Sequence, residues 1–319
     1  MQIEILLSNF ASNEVIQTKP KLMIYLENFS LVSEDMEWDV LRNMTHALYD
    51  SFYPFQIFPH DKKLEKIVFA DITIFCGSNG SGKSTVLNII AEKLRLNRET
   101  PYNKTDFFDP YIERCGYNMF SNNREKLYNL MKISRIITSD DVFNHIISVR
   151  KRNEDKNFKR SLIFDESSDS DFRQNIRRQG FDATDPKSIK TYQDNYEKFK
   201  NPVKYIRKSG NVDERTYSNG ETGFRYFTDA IQPGGLYLLD EPENSLSAEM
   251  QIELMHFLHG MAGRYECQFI VSTHSPFLLS LPGAKIFNMD SEPVKTCKWT
   301  DLPNVRIFFD FFMERKDEF

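Results

Sequence analysis

The stretch "GSNGSGKST", Gly77–Thr85, decides the fold of this chain. It fits the pattern G-x-x-x-x-G-K-[ST], which forms a phosphate-binding loop when a strand precedes it and a helix follows it. Here the run "KIVFADITIFC" (66–76) reads as two strands, and "KSTVLNIIAEKLRL" (83–96) has helical spacing. The glycines let the backbone approach an anion closely, and the helix dipole favours negative charge there. The stretch therefore predicts an α/β fold with a phosphate site.

This phosphate-binding loop, the P-loop, predicts the ligands of the chain. Lys83 is expected to contact the β- and γ-phosphates of ATP, and the Ser84 hydroxyl is expected to ligate Mg²⁺. The nucleotide-binding residues predicted in the loop are Asn79, Gly80, Ser81, Gly82, Lys83, Ser84 and Thr85. ATP and Mg²⁺ are accordingly the predicted cofactors.

Two adjacent carboxylates follow a second apolar run, in "LYLLDEPE" (236–243). Such a pair at a strand end can be a solvated turn, but the P-loop upstream favours a catalytic interpretation. The carboxyl ends of strands in an open α/β sheet form the ligand crevice. Asp240 is therefore predicted to hold Mg²⁺, and Glu241 to act as general base on the attacking water.

A third apolar strand ends in polar residues, in "IVSTHSP" (270–276). A lone histidine is more often structural than catalytic. His274, however, follows a core strand that comes after the Asp240-Glu241 pair, so its side chain is expected near the γ-phosphate or the water. We predict three catalytic residues in all: Lys83, Glu241 and His274.

These motifs resemble those of ATP-binding-cassette ATPases, and within that class they are most similar to the RecF and SMC-like branch. The similarity extends to small stand-alone bacterial ATPases of AAA/ABC type, and it covers residues 53–96 and 217–313. The resemblance implies an α/β ABC-type P-loop ATPase head, with a mixed sheet core, flanking helices and a helical insertion or lid. The domain division that we predict is 1–96 for the β-rich part with the P-loop, 97–216 for a mainly helical, charged insertion, and 217–319 for the rest of the core.

The segment "RTYSNGETGF" (215–224) could by itself be a polar turn. Its "YSNGE" resembles the signature motif of the cassette class, with Tyr217 and Asn219 in place of the usual Leu and Gly. The resemblance implies that Ser218, Gly220 and Glu221 bind the γ-phosphate of ATP held by a facing subunit. A chain with one P-loop and one signature would then form a head-to-tail homodimer with shared sites.

Two further parts of such a site have weaker signals. In the cassette class, a segment between the P-loop and the signature motif, called the Q-loop, supplies a glutamine at the end of a strand. No strand predicted in this region ends in Gln, and "RIITSDDVF" (135–143) offers Asp140 as a metal ligand instead. For an adenine-stacking aromatic, Tyr53, Phe55 and Phe58 all qualify.

Composition and charge limit the classes of partner that the chain is expected to bind. A net charge of -5 argues against a protein that coats nucleic acid by bulk charge. Residues 150–215, however, are basic and interleaved with Tyr and Phe, so this segment could contact nucleic acid or dock another protein. The widely spaced cysteines lack metal-ligand spacing. The sequence shows neither a secretory leader nor an 18-residue apolar run, so we expect a cytoplasmic protein without a membrane partner.

The resemblance implies a nucleotide-gated dimeric ATPase switch that controls a separate effector, such as a nuclease or toxin, in bacterial anti-phage defence. The alternative is a RecF-like ATPase that itself binds DNA in repair or recombination. Salt-dependent DNA binding by the pure protein would favour the alternative.

Overall fold

The fold is described from a computed structural model of the chain. The structure describes residues 23–42, 52–120, 124–168, 190, 194, 197, 200–208 and 219–319.

A six-stranded sheet forms the centre of the protein, in the strand order β5-β6-β7-β3-β8-β9. All neighbours pair in parallel except β8 and β9, which are antiparallel. The strands are β3 (Ile72–Cys76), β5 (Arg135–Thr138), β6 (Leu236–Asp240), β7 (Gln268–Ser272), β8 (Lys285–Asn288) and β9 (Lys295–Cys297). This arrangement confirms the predicted mixed α/β sheet.

A smaller antiparallel sheet has the order β2-β1-β4. Its strands are β1 (Leu26–Ser30), β2 (Lys66–Val68) and β4 (Gly116–Met119). The side chain of Gln268, at the start of β7, connects the two sheets. Its Oε1 accepts hydrogen bonds from the backbone N–H groups of Tyr25 and Leu26, at 2.9 and 2.8 Å.

Helices flank the central sheet. They are α1 (Glu34–Arg42), α2 (Lys83–Leu94), α3 (Phe108–Arg114), α4 (Arg124–Ile133), α5 (Ser139–Ser168), α6 (Pro202–Lys208), α7 (Asn219–Ala230), α8 (Ala248–Arg264), α9 (Pro276–Leu279) and α10 (Pro303–Glu314). Ser247 caps α8, because its side chain accepts a hydrogen bond from the Met250 N–H.

Alternate residues of the central strands supply two hydrophobic cores, one on each face of the sheet. On one face, Phe75 and Leu238 pack with residues of α2 and of the small sheet, such as Ile90 and Phe29. On the other face, Ile74, Leu239 and Val271 pack with α5, α7 and α8. Burial on both faces explains why these strands are continuously apolar rather than alternating.

The predicted insertion, 97–216, contains part of the core. Strand β5 lies inside it and pairs in parallel with β6, so that Thr138 is the register partner of Asp240. After β5 the chain enters the long helix α5, which begins at Ser139. In the part of the chain that the structure describes, no helix is both long and apolar enough to cross a membrane.

Candidate functional site

The P-loop connects the end of β3 directly to the start of α2. Gly80 and Gly82 have φ angles of 83° and 97°, in the left-handed region that residues with a Cβ avoid. A Cβ on Gly82 would also lie 2.9 Å from Cε1 of Phe58, whose ring packs beneath the loop. Backbone conformation and close packing therefore both require glycine at position 82.

The ammonium group of Lys83 lies within the loop. Its Nζ donates to the carbonyl oxygens of Gly77 and Ser78, at 2.8 and 3.0 Å. The side chain is 4% exposed, and Nζ lies 4.0 Å from Oε1 of Glu241. A buried cation held by carbonyl groups is well placed to neutralise phosphate charge.

The hydroxyl of Ser84 and the carboxylate of Asp240 meet at the carboxyl edge of the sheet. Ser84 Oγ donates to Asp240 Oδ1 at 3.0 Å. Desolvation by burial raises the pKa of Asp240, and the hydrogen bond from Ser84 opposes that rise. A hydroxyl and a carboxylate are hard oxygen ligands of the kind that hold Mg²⁺ beside phosphate groups. The residues at this position fit a magnesium ion.

Glu241 lies between the lysine and the histidine. Its Oε1 is 3.3 Å from Nε2 of His274, and its Oε2 accepts a hydrogen bond from Nδ2 of Asn244 at 3.0 Å. Its φ angle of 49° is left-handed, which costs a residue with a Cβ on the order of 1 kcal/mol. Glu241 therefore has an unusual backbone conformation, and its carboxylate lies beside Lys83.

The backbone of His274 is fixed from two sides. Its N–H donates to Oε1 of Glu243 at 2.6 Å, and its carbonyl oxygen accepts from Nδ2 of Asn304 at 3.2 Å. The ring atom Nε2 is buried and faces Glu241, but it lacks a hydrogen bond of good geometry. Ser81 Oγ, in the P-loop, is likewise buried without a partner. Both atoms could bond phosphate oxygens, so the site also fits ATP.

The remaining P-loop residues differ in exposure. Asn79 and Gly80 are exposed, whereas Ser81 and Thr85 are buried. The hydroxyl of Tyr53 donates to Thr85 Oγ1 at 3.1 Å, and desolvation by burial raises the pKa of Tyr53.

Of the three aromatics proposed to stack on adenine, two are part of the core. Phe55 and Phe58 are 3% and 0% exposed, and both pack among core residues, so a ligand cannot reach their faces. Tyr53 is half-buried beside the P-loop. Tyr53 is therefore the one of the three aromatics that remains a candidate for stacking on adenine.

The structure does not bring Asp140 to the predicted metal site. Asp140 is exposed in the first turn of α5, and none of the described contacts of Ser84 or Asp240 involves it. The buried carboxylate here is Asp141, whose Oδ2 accepts from the backbone N–H of Thr138 at 2.7 Å. Thr138 Oγ1 accepts in return from the Asp141 N–H at 3.3 Å, which completes a capping box. The carboxylate that points inward caps the helix.

The signature segment is only partly described. Ser218 lies outside the described residues, whereas Gly220 and Glu221 are in the first turn of α7. A Cβ on Gly220 would lie 3.5 Å from the backbone nitrogen of Ser247, at the start of α8. Glu221 is exposed. Binding of nucleotide by these residues stays a prediction.

Two acidic residues that sequence reasoning missed support the site. Asp290, just after β8, accepts hydrogen bonds from the Ser78 N–H at 2.7 and 2.9 Å and from the Ser78 hydroxyl at 2.8 Å. Glu243 accepts from the His274 N–H, as described above. Glu243 stands in the quoted "LYLLDEPE", but only the fold shows its partner. No sequence pattern marks Asp290.

One protein-family model matches the chain over residues 117–280, and its description is "AAA domain, putative AbiEii toxin, Type IV TA system". The matched range includes Asp240, Glu241 and His274 and begins after the P-loop. The match confirms, at the level of the family, the P-loop ATPase class that the motifs predict. None of the curated proteins compared with the chain matches it.

Several solved structures are similar to the chain. An SMC head domain from Pyrococcus furiosus, bound to the C-terminal domain of ScpA, is 13% identical with a TM-score of 0.40, over 90% of this chain and 99% of that one. The SMC head domain from Thermotoga maritima is 15% identical with a TM-score of 0.37, over 86% of this chain and 99% of that one. A dimeric ATP-binding cassette bound to ADP and phosphate is 14% identical with a TM-score of 0.33, over 72% of this chain and 88% of that one.

Proposed function

The chain belongs to the AAA-domain family whose model it matches, and on that premise we propose that it hydrolyses ATP at the site around Lys83 and Glu241. The single observation that carries this proposal is the position of the Glu241 carboxylate. It lies 4.0 Å from the ammonium group of Lys83 and 3.3 Å from the imidazole of His274. A base between two groups that can bind a transferring phosphoryl group is the arrangement that hydrolysis requires.

In the proposed reaction, the oxygen of a water molecule forms a bond to the γ-phosphorus, and the bond to the β,γ-bridging oxygen breaks. Glu241 accepts the proton of that water, and ADP leaves with the electron pair of the broken bond. Lys83 neutralises charge on the β- and γ-phosphates, while His274 orients the water or a γ-phosphate oxygen. Mg²⁺, held by Ser84 and Asp240, would supply further charge neutralisation.

The site is proposed to be completed by a second copy of the chain. Ser218, Gly220 and Glu221 would contact the γ-phosphate bound by the facing subunit, as the resemblance to the cassette class implies. Support comes from the position of Gly220 in the first turn of α7, where it packs beside Ser247, the residue that caps α8. ATP binding would then close the dimer, and hydrolysis would reopen it.

Closure is proposed to control a separate effector, a nuclease or toxin, in a bacterial defence system. The description of the matched family, which names a type IV toxin–antitoxin system, supports this role. The RecF-like alternative depends on the basic segment 150–215, much of which lies outside the described residues. A cytoplasmic location likewise stays a prediction.

Phosphate release by the purified chain with Mg-ATP tests the proposed activity. We expect turnover by the wild-type chain and almost none by Lys83→Ala, because the buried ammonium group is lost. Lys298→Ala is the matched control, since Lys298 is an exposed lysine outside the site. Equal rates for Lys83→Ala and Lys298→Ala would show that hydrolysis does not occur at this site.

A further inference from the structure

The C-terminal helix α10 exposes aromatic side chains in an unusual number. From Arg306 to Phe319, every residue is exposed. The large apolar side chains and their exposed fractions are Ile307 69%, Phe308 49%, Phe309 52%, Phe311 48%, Phe312 53%, Met313 52% and Phe319 94%. We call these seven residues the aromatic surface.

The aromatic surface is larger than a free protein surface usually shows. Aromatic side chains have areas of about 150–250 Å², so half exposure of these residues leaves roughly 600–800 Å² of apolar surface on each chain. Contiguous apolar patches beyond a few hundred Å² mark interaction sites. A helix that is apolar on nearly all sides is normally buried. The aromatic surface therefore indicates a binding face.

The charges around the aromatic surface favour a protein over a lipid or a nucleic acid. Residues 306–319 contain three basic and four acidic side chains, so the segment has no excess of positive charge. Two of the basic groups also lie over aromatic rings, Arg306 at 5.3 Å from Phe309 and Arg315 at 4.3 Å from Phe311. Binding to anionic membranes or nucleic acid normally requires a basic face.

We propose that the aromatic surface pairs with the same surface of a second copy and holds two chains together without nucleotide. A two-fold interface buries one patch from each chain, and two aromatic surfaces together offer up to about 1,200–1,600 Å² of apolar area, the size of a standard stable interface. A partner of other chemistry would leave this apolar area exposed in the isolated chain, whereas pairing of copies covers it at once.

The first turn of α10 contacts the nucleotide site. Pairing through the aromatic surface would therefore also bring the nucleotide sites of the two chains near one another. Asn304, in its first turn, donates to the carbonyl of His274 at 3.2 Å and lies 4.0 Å from Sγ of Cys76, which ends β3. This inference goes beyond the proposed function, because it assigns dimer formation to a surface that needs neither ATP nor hydrolysis. ATP would then rearrange an existing dimer instead of assembling one.

Sedimentation equilibrium of the full chain, in EDTA and without nucleotide, tests the proposal. We expect a dimer for the wild-type chain and a dissociation constant about 100-fold higher for Phe308→Ser/Phe312→Ser, since two central aromatics each contribute about tenfold. Because both side chains are exposed, the double variant should stay folded, with the far-UV circular dichroism of the wild type, while loss of the dimer lowers its thermal midpoint. Phe158→Ser is the matched control, since Phe158 is 65% exposed on α5, and it should remain dimeric.

A monomeric wild-type chain at low micromolar concentration, or an unchanged dissociation constant in a folded double variant, would overturn the proposal. So would a dimer that forms only when Mg-ATP is present. Lys83→Ala separates this inference from the proposed function: it should remain a dimer even though it lacks activity. If the chain is dimeric through α10 but never hydrolyses ATP, only the proposed function fails.

Discussion

The backbone N–H of His274 donates to Oε1 of Glu243 across 2.6 Å, and the neighbouring N–H of Ser275 donates to the same oxygen at 3.2 Å. Glu243 lies in the turn after the strand that ends at Asp240, while His274 follows the adjacent strand. One carboxylate thus connects the turn that carries Glu241 to the loop that carries His274. Desolvation by burial raises the pKa of Glu243, and the hydrogen bond from the His274 N–H opposes that rise.

Removal of this connection should slow hydrolysis more than it weakens ATP binding. In Glu243→Ala the loop of His274 loses its anchor, so we expect kcat to fall on the order of 10- to 100-fold, since small misplacements of catalytic groups cost that much. The Kd for ATP, set by the P-loop, should change by less than about threefold. Steady-state kinetics and ATP titration check both values.

Glu243→Gln is the matched variant, because its amide oxygen can still accept from the backbone. It should recover part of the lost kcat. Equal losses in the two variants, or a large increase in Kd with kcat unchanged, would show that Glu243 does not act by positioning His274.

Glu241→Gln should bind ATP and fail to hydrolyse it. The amide keeps the shape of the carboxylate but cannot accept the proton of water, and loss of a general base costs about 10²–10⁴ in rate. Nucleotide titration together with phosphate release checks this. Glu249→Gln, an exposed glutamate in the first turn of α8, is the control and should behave as wild type. Turnover by Glu241→Gln near the control rate would remove Glu241 from its proposed role.

A buried carboxyl away from the site should make stability depend on pH. Glu37, on α1, is 1% exposed, and desolvation by burial raises its pKa to about 7, opposed by the hydrogen bond from the Gln56 N–H and by His60, with Glu34 adding to the rise. The folded state therefore keeps a proton that the unfolded chain releases above its ordinary pKa of 4.5. The contribution of Glu37 to stability is fully present below pH 4.5 and is lost as the pH rises from there through about 7.

Glu37→Gln removes this pH dependence, because glutamine stays neutral. Relative to wild type, its free energy of unfolding should rise by about 2–3 kcal/mol between pH 5 and pH 8. Urea unfolding at the two pH values measures the difference. A variant whose stability relative to wild type is the same at both pH values would contradict a raised pKa at Glu37.

Sequence motifs predicted which residues meet at the site better than they predicted the residues around it. The Lys83–Glu241 and Glu241–His274 approaches follow from patterns that mark the carboxyl ends of neighbouring strands. Asp290 and Asn304 could not be predicted, because their contacts join residues 212 and 30 positions apart in the chain.

The sequence also failed to predict which of two adjacent aspartates is buried and which segments join the central sheet. Asp140 and Asp141 are the same residue type at adjacent positions, so the sequence does not distinguish them. In the fold only Asp141 points inward, where it caps α5. The short strand β5 lies in a segment that composition marks as an insertion, yet pairing with β6 places it in the central sheet. Such long-range pairing has no local signature.

The central claim, that two chains share each ATP site, is tested most directly by mixing inactive chains. Lys83→Ala lacks a working P-loop, and Ser218→Arg blocks the signature segment, so each alone should be inactive. In their mixed dimer one of the two composite sites is intact.

Co-expression of the two variants with different affinity tags, followed by phosphate-release assays on the doubly tagged fraction, makes the measurement. We expect that pure mixed dimer to recover about half of the wild-type rate per dimer, since one of its two equivalent sites works. No recovery in a folded, doubly tagged dimer would contradict a site shared between subunits.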